Sequence, residues 1–219
     1  MAYLPCVEVE TSPAVDASVI WLHGLGANGH DFEPIIPELH LPKQAGIRFV
    51  FPHAPSIPVT INGGMVMPAW YDILEMSIDR KIDQKQIMVS AGRINELVER
   101  EIHRGIDSRR IVVAGFSQGG AVAYQVALSF TRPLAGLMAL STYLATHASI
   151  VPAPDNTNMP ILVCHGLSDT VVPESLGQHA IKLLEKMGYK PEYKTYPMQH
   201  SVSSAEIIDI SRWLQKVLG

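Results

Sequence analysis

Short apolar runs alternate along the chain with longer segments whose hydrophobic positions recur at helical spacing. Residues 18–22, 47–51, 111–114, 137–140 and 161–164 are brief and mostly aliphatic or aromatic, which predicts strands buried on both faces. Residues 192–196 are more polar and predict an edge strand. Between these runs, residues 84–103 place Ile87, Ile94, Leu97, Val98 and Ile102 on one helical face, and Gly105 supplies a stop. Further helices are predicted over 118–130, 174–187 and 203–218. Strand–helix alternation with short connections implies an α/β fold with a mostly parallel, doubly wound sheet.

One stretch breaks the alternation. Residues 53–78 carry Pro55, Pro58, Gly63, Gly64 and Pro68 with several Met and aromatic residues. Such length between elements of a compact domain marks a functional loop. Within it, residues 59–61 and 65–67 flank Asn62-Gly63-Gly64 and predict a small hairpin. No repeat, low-complexity tract or linker divides the chain, so residues 1–219 read as a single domain.

Composition narrows the partners. The chain has 219 residues, a formal net charge of -4, 47% hydrophobic and 17% charged residues, so a large apolar core is expected and disorder is not. Lys+Arg number 17 against Asp+Glu 21, which argues against nucleic-acid binding. The start of the chain has Glu8 and Glu10 where a secretory signal needs a basic then apolar run. The longest apolar stretch, 134–145, is too short to span a bilayer, so stable membrane insertion is not expected. Cys6 and Cys164 read as free thiols, in keeping with a cytoplasmic location. Apolar residues of the 59–76 loop are compatible with a homodimer.

The chemistry centres on Gly115-Phe116-Ser117-Gln118-Gly119. The G-x-S-x-G pattern alone is weak, since chance gives about 0.07 matches in a chain of this size. Its setting is stronger: a predicted strand runs into Gly115 and a predicted helix begins after Ser117, as a nucleophile elbow requires. A Cβ at Gly115 or Gly119 would collide with the crossing backbone. An elbow serine needs an acid and then a histidine further along the chain. Asp169 follows the 161–164 strand and His200 follows the last strand, both at the end where open α/β sheets place their sites. Asp155 and Asp209 do not occupy strand ends; His103, His147 and His179 fall on helices or connections; His165 precedes the acid. The loop Leu22-His23-Gly24-Leu25-Gly26 has the form that donates one oxyanion N–H, which assigns the two donors to Leu25 and Gln118. Residues 24–29 also match G-x-G-x-x-G, but neither a helix opening within them nor a suitably spaced acidic residue supports NAD binding.

Taken with Pro52-His53-Ala54-Pro55 and Trp70-Tyr71-Asp72, these motifs resemble the acyl-protein thioesterase/lysophospholipase-like carboxylesterase family, in its bacterial branch. The resemblance runs from about Ser18 to near the C-terminus. It implies an α/β-hydrolase core with no large lid domain, no metal and no cofactor. It also implies cleavage of small esters, thioesters or lysophospholipids through an acyl-enzyme. An acyl site would then involve Met65, Met67, Trp70, Ile73, Tyr143 and Val171. Tyr143 stands where some relatives carry tryptophan, which leaves the preferred chain length open. The alternative is a non-enzymatic small-ligand-binding protein on a hydrolase scaffold. Retention of serine, acid and histidine argues against it.

Overall fold

The computed structural model describes residues 3–75 and 81–219, so positions 76–78 of the long 53–78 segment lie outside the described residues. In chain order the elements are β1 (Cys6–Glu10), β2 (Ala17–Leu22), α1 (Ile35–Glu38), β3 (Ile47–Pro52), β4 (Ser56–Val59), β5 (Met65–Pro68) and α2 (Gln84–His103). There follow β6 (Ile111–Phe116), α3 (Gln118–Ser129), β7 (Gly136–Leu140), β8 (Ile161–Gly166), α4 (Glu174–Lys186), β9 (Glu192–Tyr196) and α5 (Ser204–Leu218).

Seven strands form one sheet in the order β1-β3-β2-β6-β7-β8-β9, parallel except for β1, which runs antiparallel to β3. Alternate side chains leave opposite faces. Ile20, Leu22, Val113 and Val163 join the core under α2, α3 and α4, whereas Val19, Trp21, Val112 and Cys164 join Ile35 of α1 and Ile210, Trp213 and Leu214 of α5. Each fully buried aliphatic side chain contributes about 1.5–3 kcal/mol relative to exposure. This two-sided cover explains why the central runs carry so few polar residues. The architecture is that of an α/β-hydrolase.

Two elements lie outside the sequence expectation. β1 alternates Val with Glu, and Glu8 bonds Arg100 at 2.7 Å and Arg104 at 2.9 Å, while Glu10 bonds Arg48 at 2.9 Å. Its polar half-face is an ion-paired sheet edge. α1 is one turn containing Pro37, too short to show a period. β4 and β5 pair as a separate antiparallel ribbon, but the first strand ends at Val59 and Thr60–Asn62 form a 3-10 turn before Gly63 and Gly64, at φ +67° and +78°.

From β2 the chain turns to β3 on one side, while β6 on its other side leads away to β7. The carboxyl ends of β2 and β6 therefore border the crevice where open α/β sheets bind ligands. Among the described residues no helix is long and apolar enough to cross a membrane.

At the start of α5, Glu206 donates its amide to Ser203 Oγ at 3.3 Å, and its side chain is fully buried. Burial pushes its carboxyl up from 4.5 to about 8. The folded protein thus holds a proton that the unfolded chain releases, so stability falls as pH rises between about 4.5 and 8. Glu206→Gln is expected to raise Tm near the upper end of that window and leave it unchanged near the lower end. Parallel melting curves for both proteins check this.

Candidate active site

β6 ends at Phe116 and α3 begins at Gln118, leaving Ser117 alone to turn the chain. Ser117 adopts φ +54° and ψ −120°. That conformation costs a non-glycine residue on the order of 1–3 kcal/mol and persists only where surroundings fix it. Here the Ser117 N–H donates to Leu140 O at 2.9 Å, and Thr142 Oγ1 donates to Ser117 O at 2.6 Å. Close crossing of α3 over β2 also fixes the turn: a Cβ on Gly119 would lie 2.5 Å from His23 O and 2.7 Å from Leu22 Cβ. A Cβ on Gly115 would strike the Gly119 backbone.

The loop after β8 carries Asp169 and the loop after β9 carries His200. Two main-chain bonds join these loops, Leu167 N–H to Tyr196 O at 2.9 Å and Ser168 N–H to Met198 O at 3.0 Å. Asp169 Oδ1 accepts from the amides of Val171 at 2.9 Å and Val172 at 2.8 Å. Its Oδ2 lies 2.6 Å from His200 Nδ1, and His200 Nε2 lies 2.9 Å from Ser117 Oγ. A carboxylate accepts, so Nδ1 carries the proton and Nε2 is left to accept from the serine hydroxyl. Asp169 is buried and His200 is partly exposed. Serine, imidazole and carboxylate thus form one continuous hydrogen-bonded chain.

A run of tilted aromatic contacts supports the imidazole. His200 packs on Phe116 at 4.7 Å between ring centroids, Phe116 on Phe32 at 5.6 Å, and Phe32 on Trp21 at 5.2 Å. The column leads from the buried face of β2 to the reacting group.

The glycine loop after β2 is held from several sides. Ala54 N–H donates to His23 Nε2 at 3.1 Å, so Nδ1 carries the proton that Gly24 O accepts at 2.7 Å. Burial lowers the His23 pKa and keeps this ring neutral. Trp70 Nε1 donates to His23 O at 2.8 Å, and Gly26 N–H donates to Pro68 O at 2.8 Å. Gly24 approaches so closely that a Cβ there would sit 3.5 Å from Ser117 Cβ. Gln118 clamps the same region through its side chain: Oε1 accepts from Trp70 N–H at 2.8 Å and Nε2 donates to Tyr71 O at 2.7 Å. Its own amide opens α3, where an N–H has no intrahelical acceptor.

A cavity of about 480 Å³ adjoins Ser117 and His200, with Leu25, Ala27, Phe32, Phe116, Val171 and Val202 as its apolar wall and Gly24, Asp31 and Ser201 completing it. Of the six residues expected at an acyl site, Val171 lines this cavity. The other five are not part of its lining. Trp70 and Ile73 are core residues, the Trp70 indole being occupied by the His23 carbonyl. Tyr143 is buried with its hydroxyl 2.8 Å from that of Tyr71. Met65 is exposed on the ribbon, and Met67 accepts from Asn62 Nδ2 at 3.2 Å. The family resemblance points to the Met- and Trp-containing 65–73 stretch, Tyr143 and Val171. The wall instead comes from neighbours of the motifs: Phe116 beside the serine, Val202 just after His200, and Ala27, Asp31 and Phe32 after the glycine loop. Adjacency to the motifs is the sequence signal that marks these residues.

The rivals are also placed. Asp155 is exposed, Asp209 pairs with Lys194 at 2.8 Å, and His103, His147 and His179 are exposed. Residues 24–29 open no helix; the first begins at Ile35.

Comparison with known proteins gives concordant results. The family model described as phospholipase/carboxylesterase matches residues 5–218. An acyl-protein thioesterase 1 of Neurospora crassa is 39% identical over 213 residues, covering 92% of this chain and 87% of the relative. Among solved structures, Arabidopsis thaliana SOBER1 superposes with a TM-score of 0.86 at 30% identity, covering 93% of this chain and 99% of that one. Zea mays acyl-protein thioesterase 2 gives a TM-score of 0.86 at 28% identity over 99% of this chain and 100% of that one. These relatives are fungal and plant proteins, so the resemblance to a bacterial branch gains no support from them.

Proposed function

The chain belongs to the phospholipase/carboxylesterase family, and from that premise we propose that Ser117, His200 and Asp169 are the catalytic triad of a hydrolase for thioesters and esters of single acyl chains. That the protein is a serine hydrolase acting on esters or thioesters follows from its family. The observation that carries the residue assignment is the relay of 2.9 Å and 2.6 Å from the Ser117 hydroxyl through His200 to Asp169.

In the proposed reaction His200 Nε2 takes the Ser117 proton as Oγ bonds to the acyl carbonyl carbon. Asp169 holds the imidazole in the required tautomer and stabilises its charged form. The amides of Leu25 and Gln118 receive the oxyanion, and each such donor is worth about 3–4 kcal/mol. The bond to the leaving sulfur or oxygen then breaks, and His200 returns the proton to that atom. Water repeats the sequence on the acyl-enzyme and releases the acid. The acyl chain lies along Leu25, Phe32, Phe116, Val171 and Val202. The similarity to the fungal and maize acyl-protein thioesterases favours acyl thioesters on proteins as substrates. The free thiols Cys6 and Cys164 suit a reducing, cytoplasmic setting.

A fluorophosphonate probe tests the assignment directly. One adduct per chain, mapped to Ser117, is the expected result. An unmodified intact mass rejects the nucleophile and favours a binding protein on this scaffold.

A further inference from the structure

His165 is the penultimate residue of β8, fully buried, and the proposed reaction does not use it. Its Nε2 lies 2.8 Å from Val172 O and 3.7 Å from Asp169 Oδ2. A carbonyl oxygen accepts, so Nε2 carries the proton and Nδ1 bears the lone pair. Nδ1 has no hydrogen-bond partner among the described residues. What stands against it is Gly177, in the first turns of α4, where a Cβ would sit 2.5 Å from Nδ1. Glycine inside a helix costs about 1 kcal/mol relative to alanine. The absence of a side chain at Gly177 is the space that the His165 ring fills.

Val172 links this ring to the acid. Its N–H donates to Asp169 Oδ1 at 2.8 Å, and its carbonyl accepts from His165. The groups facing the Asp169 carboxylate are thus the amides of Val171 and Val172, the His200 ring at 2.6 Å and the His165 ring at 3.7 Å.

We propose that His165 is a positioning residue for the catalytic acid: braced against Gly177, it holds the Val172 carbonyl and thereby fixes the turn whose amides orient Asp169 toward His200. The inference rests on the triad proposed above. Its signature is a loss of kcat that travels through Asp169.

The test is a double-mutant cycle on the full chain with an aryl ester. His165→Leu is expected to lower kcat about 10- to 100-fold, since misplacing a reacting group by about 1 Å costs up to about 100-fold, with KM unchanged. His165→Gln keeps an N–H at a similar reach and should recover most of kcat. In an Asp169→Asn background, His165→Leu should change kcat less than about twofold, because the acid it positions is gone. Gly177→Ala gives an independent variant if His165→Leu does not fold, and its loss should likewise vanish in that background. Equal losses in both backgrounds, or full kcat in the single variants, overturn the positioning role alone. Full kcat in Asp169→Asn overturns the triad and this proposal with it.

Discussion

Ser117→Ala is expected to lower kcat by about five to six orders of magnitude, the loss seen when the nucleophile of a serine–histidine–acid unit is removed. The basis is the single hydroxyl 2.9 Å from His200 Nε2. Without Oγ the imidazole has no bound nucleophile to deprotonate, and only oxyanion stabilisation and substrate binding remain. Folding should be almost unaffected. Alanine keeps the Cβ that makes φ +54° unfavourable, and it keeps the Ser117 N–H bond to Leu140 O. Ser117→Gly should separate the two roles of the position. It removes both hydroxyl and Cβ, so it is equally inactive yet gains roughly 1 kcal/mol of stability from relieved strain. Steady-state hydrolysis and thermal melts of both variants check the pair. Retained turnover in Ser117→Ala would falsify the nucleophile assignment.

The parts of this site that could be read in the sequence are those fixed by chain direction. A serine between an apolar strand and a helix can face only the carboxyl edge of a parallel sheet. Asp169 and His200 follow later strands of that sheet and reach the same edge. Continuous apolar runs such as 111–114 and 161–164 are equally legible, because burial on both faces leaves little room for polar residues. β1 is less legible, since only Val7 and Val9 of its five residues are aliphatic and its exposed glutamates pair with arginines of β3 and α2. The ribbon's first strand spans Ser56–Val59, shifted from the 59–61 that the sequence predicts. Pro58 looks like a breaker, yet in a two-stranded ribbon every strand is an edge and tolerates proline. The apolar wall of the cavity beside Ser117 is the least legible part. Hydrophobicity records that Trp70 is buried but not by what, and a buried indole goes where its N–H finds an acceptor. That acceptor is the His23 carbonyl, so Trp70 holds the glycine loop.

Gly119→Ala should lower both the protein's stability and its activity. The added methyl would sit 2.5 Å from His23 O, 2.7 Å from Leu22 Cβ and 2.8 Å from Leu22 C. Two of these three atoms are backbone, so no rotamer change relieves the clash. Moving α3 outward would pull Gln118 off the Trp70 amide and the Tyr71 carbonyl. Moving the end of β2 would carry His23 away from Trp70 Nε1 and Gly24 away from Ser117. Overpacking typically costs about 1–3 kcal/mol, and contact with backbone atoms that cannot rotate away places this case at the upper end, about 3 kcal/mol. In a chain of this size that corresponds to a fall in Tm of roughly 6–12 °C. Residual folded protein should turn over more slowly than its concentration explains, because the displaced backbone carries the proposed oxyanion donors. Gly92→Ala is the matched control. It adds the same methyl to an exposed position of α2 where a Cβ meets nothing within 4 Å, and it should stabilise by about 0.5–1 kcal/mol. Opposite signs for one chemical change distinguish steric exclusion at the elbow from a general intolerance of helix substitution. If both variants melt and react like the parent, the helix does not cross β2 as closely as 2.5 Å requires.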